Sequence, residues 1–316
     1  MRERRNFAER TKILKSDQVN RKYFLVFEGK NTEQIYFEAI NNNRDFLKLN
    51  PLIELVPLLR SYSEENWSNP KKLIDRVVKN LQEKEQGIVS VNTLLDWIID
   101  YFIDEKIIKS GKSEAKYVWN ILTQAVNDEI SLTLDDVISK IDIDDICTKI
   151  ITYYISKSSL KSIVNIIPEI LQHSDISYVK GIDKICFIVD RDKESFVSDQ
   201  YKYVMNMCKK EGFGFYLSNP CFEFWLLLHF DEVKKLDINK LLENSKVTSS
   251  RRYAECELRK LLPRYSKSKY SAYDLLSRID MAIANEKDYC EDEANLEKEV
   301  GSRVGILIEE LRKKDI

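Results

Sequence analysis

The chain has 316 residues, 43% hydrophobic and 32% charged, and its 50 basic and 52 acidic side chains leave a formal net charge of -2. That length holds a full core plus a second lobe or a large insertion, and the charge balance excludes a globally basic field, so any nucleic-acid contact must come from local patches. With 8 Gly and 6 Pro the chain is no loop-rich all-β protein, and no apolar run reaches the roughly 20 residues of a membrane helix.

Residues 1–20 are polar and mixed in charge, with Arg2, Arg4, Arg5, Arg10, Lys12 and Lys15, and read as a flexible arm. A solvated end is the plainer reading and a nucleic-acid contact the alternative. No apolar core follows Met1-Arg2-Glu3-Arg4-Arg5, so no signal peptide is expected. The 6 cysteines form no C-x-x-C pair and only His173 and His229 could accompany them, which argues against structural zinc. Free buried thiols fit a reducing cytoplasm, the expected location.

Lys22 to Glu33 is the first informative stretch. Tyr23 to Phe27 is a continuous apolar run with β-branched and aromatic character, as in a strand of a parallel sheet buried on both faces. It ends at Glu28 and Gly29, at the carboxyl end of a strand, where open α/β sheets bind ligands. Asn31 or Thr32 can cap a helix through Tyr36, Phe37 and Ile40, with Glu33 in its first turn. Leu52 to Leu59 reads as a second strand, and Asn69-Pro70 opens a helix carrying Leu73, Ile74, Val77, Val78 and Leu81.

From 85 to 180 helical periodicity replaces strand patterns, which predicts an all-helical insertion. Its acidic cluster, Asp135, Asp136, Asp142, Asp144 and Asp145, lacks the Gly and terminal Glu of an EF-hand and reads as a solvated face. Trp97, Trp119, Tyr153 and Tyr154 read as core.

Lys184 to Asp192 repeats the first design, an apolar strand ending in Asp190-Arg191-Asp192. In an extended segment residues i and i+2 point the same way, so the two aspartates could share one cation. After a helix from Val197 to Cys208 and a strand from Gly212 to Leu217, Asn219 and Pro220 suit the N-cap and first position of an apolar helix. Glu223 in that helix needs a charged, metal or hydrogen-bonding partner, or the helix dipole, while His229 reads as a packed or capping residue. Beyond it Arg251, Arg252, Arg259, Lys260, Arg264, Lys267 and Lys269 interleave with Tyr253, Tyr265, Tyr270 and Tyr273, a composition suited to phosphate contacts or to an ordinary charged surface.

Three segments together, Phe27-Glu28-Gly29-x-x-Thr32-Glu33, Val189-Asp190-Arg191-Asp192 and Ser218-Asn219-Pro220-Cys221-Phe222-Glu223-Phe224-Trp225 through Phe230, resemble the RloB-like family. Its members carry a Toprim-like domain and include the second component of the AbiL abortive-infection system. The resemblance covers about 20 to 84 and 180 to 316. It implies an α/β fold, a Toprim/Rossmann-like sheet of parallel strands flanked by helices, with 21–84 and 181–316 as the catalytic domain and 85–180 inserted. It also implies a Mg²⁺ site, with Mn²⁺ an alternative, held by Glu28, Asp190 and Asp192, while similarity to OLD-type nucleases adds Glu33.

The expected activity is metal-dependent nuclease action in anti-phage defence, with Glu28, Asp190, Asp192, Glu33 and Glu223 catalytic and Lys30, Arg191, Asn219, Lys267 and Lys269 on the substrate. The alternatives are a nucleotidyl or phosphoryl transferase on the same site and a non-catalytic regulatory subunit. The expected substrate is DNA or RNA, and the resemblance implies an AAA/ABC-type ATPase encoded alongside as partner; the chain has no Walker A motif, so any ATP hydrolysis would be that partner's. No membrane partner is expected, and oligomeric state stays open.

Overall fold

The structure, a computed structural model, describes residues 2–3, 21–29, 31–59, 69–104, 107–108, 112–139, 141–157 and 178–314. The chain divides into two units. One takes Met1–Arg10, Leu58–Trp67 and Asp75–Ser177; the other takes Thr11–Pro57, Ser68–Ile74 and Tyr178–Ile316. The strands in chain order are β1 (Arg2–Glu3), β2 (Arg21–Phe27), β3 (Ile53–Leu59), β4 (Ile88–Ser90), β5 (Val137–Ser139), β6 (Lys184–Asp190), β7 (Gly214–Asn219) and β8 (Gly301–Ser302).

The second unit is built on a mixed sheet in the order β3-β2-β6-β7-β8. Strand β2 runs parallel to β6 and β6 parallel to β7, while β8 returns antiparallel on β7. Helices flank the sheet, and Tyr23 to Phe27 and Ile185 to Val189 are buried without a break. Burial on both faces removes the alternation that a one-sided strand would show. This is the α/β sheet the apolar runs predict.

Helix Thr32–Asn42 follows β2 and buries Tyr36, Phe37 and Ile40. Helix Phe222–Leu227 follows β7 and is buried at every position. Tyr36 meets Phe222 and Trp225 edge-on, at ring-centroid distances of 5.7 and 6.1 Å. His229 is the packed residue its position suggests. The Trp225 carbonyl, 3.1 Å from Nδ1, can only accept, so Nδ1 carries the proton and Nε2 accepts from the Tyr36 hydroxyl at 3.0 Å. Burial pushes its pKa down to about 4, so the ring is neutral.

Three neighbouring strands are stapled to the last helix, Val304–Arg312, through one carboxylate. Glu310 accepts from Tyr23 of β2 at 3.0 Å and from Tyr216 of β7 at 2.8 Å, and it pairs with Lys184 of β6 at 2.7 Å. Pro70 opens helix Pro70–Gln86, and Asn69 Oδ1 accepts the Lys71 N–H at 2.9 Å, the cap its sequence predicts. The second predicted cap is different. Asn219-Pro220 is a cis peptide, Asn219 ends β7, and Cys221 takes the N-cap position.

In the first unit, helices Val91–Asp104, Lys112–Ala125 and Ile143–Lys157 bury a core that includes Leu94, Ile98, Phe102, Leu122, Ile150 and Tyr154. Trp97, Trp119 and Tyr153 are half-buried against it. The stretch is not wholly helical. Strands β4 and β5 pair antiparallel, and at three residues each they are too short to print an alternating pattern. The acidic cluster caps turns and a helix: Asp136 accepts from the Thr133 N–H at 2.6 Å, Asp142 from Ser139 at 3.1 Å, and Asp145 pairs with Lys149 at 2.7 Å. At the start of the chain, β1 pairs antiparallel with β3, Arg2 opposite Leu59, where a flexible arm was expected. Residues 4–20 and His173 lie outside the described residues. Among those described, no helix is long and apolar enough to cross a membrane.

Glu286, 1% exposed at the end of helix Ile279–Glu286, accepts the Gly305 N–H at 3.0 Å. A Cβ at Gly305 would lie 2.0 Å from its other oxygen. Burial raises its pKa to about 7, against the Gly305 and Ser302 hydrogen bonds and with help from Glu291 and Glu309. The native chain therefore holds this proton to higher pH than the unfolded chain, and stability falls as pH rises from 4.5 to about 7. Chemical denaturation of Glu286→Gln should show that part of the pH slope gone, with the variant gaining on the parent above neutrality.

Candidate functional site

The in-register pairing of β2 with β6 sets Phe27 opposite Ile188 and ends both strands in acids on the same edge. Glu28 continues the ladder, its N–H donating to the Ile188 carbonyl at 3.1 Å, and its carboxylate accepts the Asp190 N–H at 2.9 Å. Asp190 in turn accepts the Phe222 N–H at 2.8 Å, which ties β6 to the start of the buried helix after β7. Residues 28, 190 and 222 are thereby joined by two carboxylate–amide contacts. Such charge-assisted bonds are stronger than neutral ones.

Glu33, 3% exposed, lies over Gly29: a Cβ at 29 would sit 2.1 Å from its carboxylate. Gly29 therefore gives Glu33 room to approach the backbone. Burial raises the Asp190 carboxyl well above its ordinary pKa, and the charges of Glu33, Glu28 and Glu223, in that order, raise it further, with Lys267 opposing. Four carboxylates from four segments thus share one field. Asp192 stands differently. It lies in the turn beyond β6, where its side chain accepts the Glu194 N–H at 3.1 Å and its carbonyl the Phe196 N–H at 2.7 Å. The i, i+2 rule applies only while the chain is extended, and it ends here. Among the described residues, no group of three or more His, Cys, Asp or Glu is spaced as a ready metal cage.

Glu223 has the partners its burial demands. Its carboxylate accepts from Tyr265 at 2.9 Å and pairs with Lys267 at 3.2 Å. Burial would raise its pKa, but Lys267, the Cys221 thiol and the Tyr265 hydroxyl outweigh that and hold it below the ordinary value. Lys267 is raised in return, chiefly by Glu223. The Lys267 side chain, 61% exposed overall, lines a cleft of about 340 Å³ with Asp190, Asp192, Cys221 and Glu223, and with Lys193, Lys246 and Arg252 among the basic groups.

Two expected substrate ligands point inward. The Arg191 guanidinium, 6% exposed, pairs with Glu297 at 3.5 Å, donates to the Phe196 carbonyl and lies over the Phe196 and Tyr201 rings. Asn219 is fully buried and donates to the Leu296 carbonyl at 2.8 Å. Both brace the loop at 290–300, through Glu297 and Leu296. Lys269 is exposed on the turn that starts at Ser266, and Lys30 lies outside the described residues. The tyrosines of the basic tail line the site from within: Tyr265 holds Glu223, and Tyr270 donates to the Thr32 carbonyl at 2.7 Å. Arg251, Arg252 and Lys260 pair with Glu255, Glu194 and Glu257, and Arg259 donates to the Tyr265 carbonyl.

Two substitutions probe this geometry. Tyr265→Phe leaves a buried carboxylate short of a hydrogen bond and should cost about 1.5–3 kcal/mol in denaturant unfolding. Gly29→Ala should expel Glu33, so the Asp190 pKa, followed by carboxyl NMR, should move down toward its ordinary range as a neighbouring negative charge departs.

Comparison with curated proteins and with solved structures gives no significant match. A family model described as RloB-like protein matches residues 106–311. The match takes in Asp190, Asp192, Glu223 and Lys267 together with most of the helical stretch that the motif resemblance had set aside, and it starts beyond Glu28 and Glu33. It spans well over half of the sequence, and the chain belongs to the RloB-like family.

Proposed function

We propose that this chain is a Mg²⁺-dependent nuclease, the Toprim-type effector of an anti-phage abortive-infection system that works in the cytoplasm with a separately encoded ATPase. The observation that carries the reading is the convergence of Glu28, Glu33 and Glu223 on Asp190 at the carboxyl edge of a parallel sheet. Carboxylates so gathered repel one another, and a divalent cation beside them would relieve that repulsion. The carboxylate oxygens of Glu28, Asp190 and Asp192 fit a hard cation such as Mg²⁺ or Mn²⁺.

Glu28 and Asp190 would hold the ion, with Glu33 beside it, and Asp192 would join from the turn beyond β6 only by leaving the Glu194 N–H. When bound, it would polarise a phosphodiester and ease deprotonation of water. The protein's own groups do the positioning. The Asp190 N–H fixes Glu28, the Phe222 N–H fixes Asp190, and the Glu223–Tyr265 pair holds the Lys267 ammonium toward the cleft. Lys267 is then placed to neutralise a phosphate oxygen, and the cleft's basic groups to follow the backbone.

The test is cleavage of single-stranded DNA, duplex DNA and tRNA with Mg²⁺ or Mn²⁺. Asp190→Asn and Glu28→Gln should each lower the rate by about 100-fold or more while the fold survives. Cleavage that persists in both variants sinks the nuclease reading, and nucleotide incorporation without cleavage supports a transferase instead. The raised Asp190 pKa adds a second expectation: protons compete with the ion, so Mg²⁺ affinity by calorimetry should rise with pH until Asp190 is fully ionised.

A further inference from the structure

We infer that Arg252 is the phosphate clamp of this cleft and that Glu194 occupies, in the protein alone, the place a substrate phosphate takes. The inference rests on the phosphodiester reading and adds a binding subsite to it. Arg252 Nη2 meets Glu194 Oε2 at 2.9 Å, joining the turn after β6 to the start of helix Tyr253–Leu261, and both residues line the cleft with Asp190, Asp192 and Lys267.

The two partners are held very differently. Arg252 stands on a built frame: its Nη1 donates to the Asn244 carbonyl at 3.3 Å, and residues 246 and 252 pair across a short hairpin in which the Tyr253 N–H donates to the Ser245 carbonyl at 3.0 Å. Asn244 is buried in left-handed backbone. It accepts the Ala254 N–H at 3.0 Å and donates to Cys221 Sγ at 3.6 Å, so the frame reaches the residue beside Asp190's amide partner, Phe222. The Glu194 side chain is 78% exposed, on a turn whose backbone Asp192 already secures. An exposed ion pair contributes little, whereas a preorganised guanidinium can grip phosphate through two parallel bonds. A phosphodiester entering the cleft therefore displaces Glu194 at little cost and finds the guanidinium already aimed. Lys246, exposed on the same hairpin, and Lys193, whose ammonium donates to the Leu242 carbonyl at 3.3 Å, extend the path.

The experiment measures binding of a short labelled single-stranded oligonucleotide, and of inorganic polyphosphate, to the full chain in a chelator so that no cleavage occurs. Glu194→Gln should tighten binding by about two- to five-fold, the range of an exposed pair. Arg252→Gln should weaken it by about tenfold and lower the slope of log affinity against log salt by about 0.7 on the single strand. The double variant should bind no better than Arg252→Gln alone. Unchanged affinity in Glu194→Gln, or the same gain with Arg252 absent, would overturn the proposal, because the first denies competition and the second makes it a bulk charge effect. If Arg252→Gln misfolds, Arg252→Lys keeps the charge, and loss of the Glu194→Gln gain in that background again supports the fork. The expected pattern in a protein that cleaves nothing keeps the subsite and removes the nuclease.

Discussion

One hydrogen bond organises the site: the Asp190 N–H to the Glu28 carboxylate, 2.9 Å long and joining residues 162 positions apart. It exists because β2 and β6 are adjacent, parallel and in register, so that two strands ending in acids end at the same edge. A shift of one residue would send one carboxylate to the other face of the sheet. The staple of Tyr23, Lys184 and Tyr216 on Glu310 ties the same three strands to one helix and so guards that register.

From that contact the acidic field grows outward by helix starts. Gly29 lets the helix after β2 bring Glu33 close, and the peptide entering the helix after β7 gives the Asp190 carboxylate its amide donor. Glu223, one residue further, is turned toward Tyr265 and Lys267 and stays ionised where burial alone would protonate it. Burial and the charges of Glu33 and Glu28 raise the Asp190 pKa, whereas Glu223 is held ionised by Lys267 and Tyr265. Asp190 with a raised pKa beside Glu223 with a lowered one is the physical form of that division.

The cleft follows the same logic at its mouth. Most basic side chains of the tail are engaged with acids of this chain, so the charge pattern that suggested an open nucleic-acid surface is largely internal pairing. The pairs of Arg251, Arg252 and Lys260 lie at the surface, where ion pairs are weak, whereas Lys267 pairs with a buried carboxylate. Near-neutral net charge is compatible with a strongly polar site.

Much of this was legible in the residues. Apolar runs ending in acid predicted β2 and β6, periodicity predicted the helices Thr32–Asn42 and Pro70–Gln86, and Asn69-Pro70 marked a helix start, because buried strands and capped helices leave local signatures. The pairing of β4 with β5 was not legible, since three-residue strands carry no period, and neither was the end of extended backbone at Asp192. Local pattern also did not show that Arg191 and Asn219 brace a distant loop, since that depends on Glu297 and Leu296, far along the chain. The sequence by itself determined which segments would be strands and which acids would stand at their ends. Only the tertiary structure decided which of those acids meet, that Glu223 is answered by Tyr265 and Lys267, and that Arg252 faces Glu194, because strand order and side-chain pairing are set by long-range packing that no local period encodes.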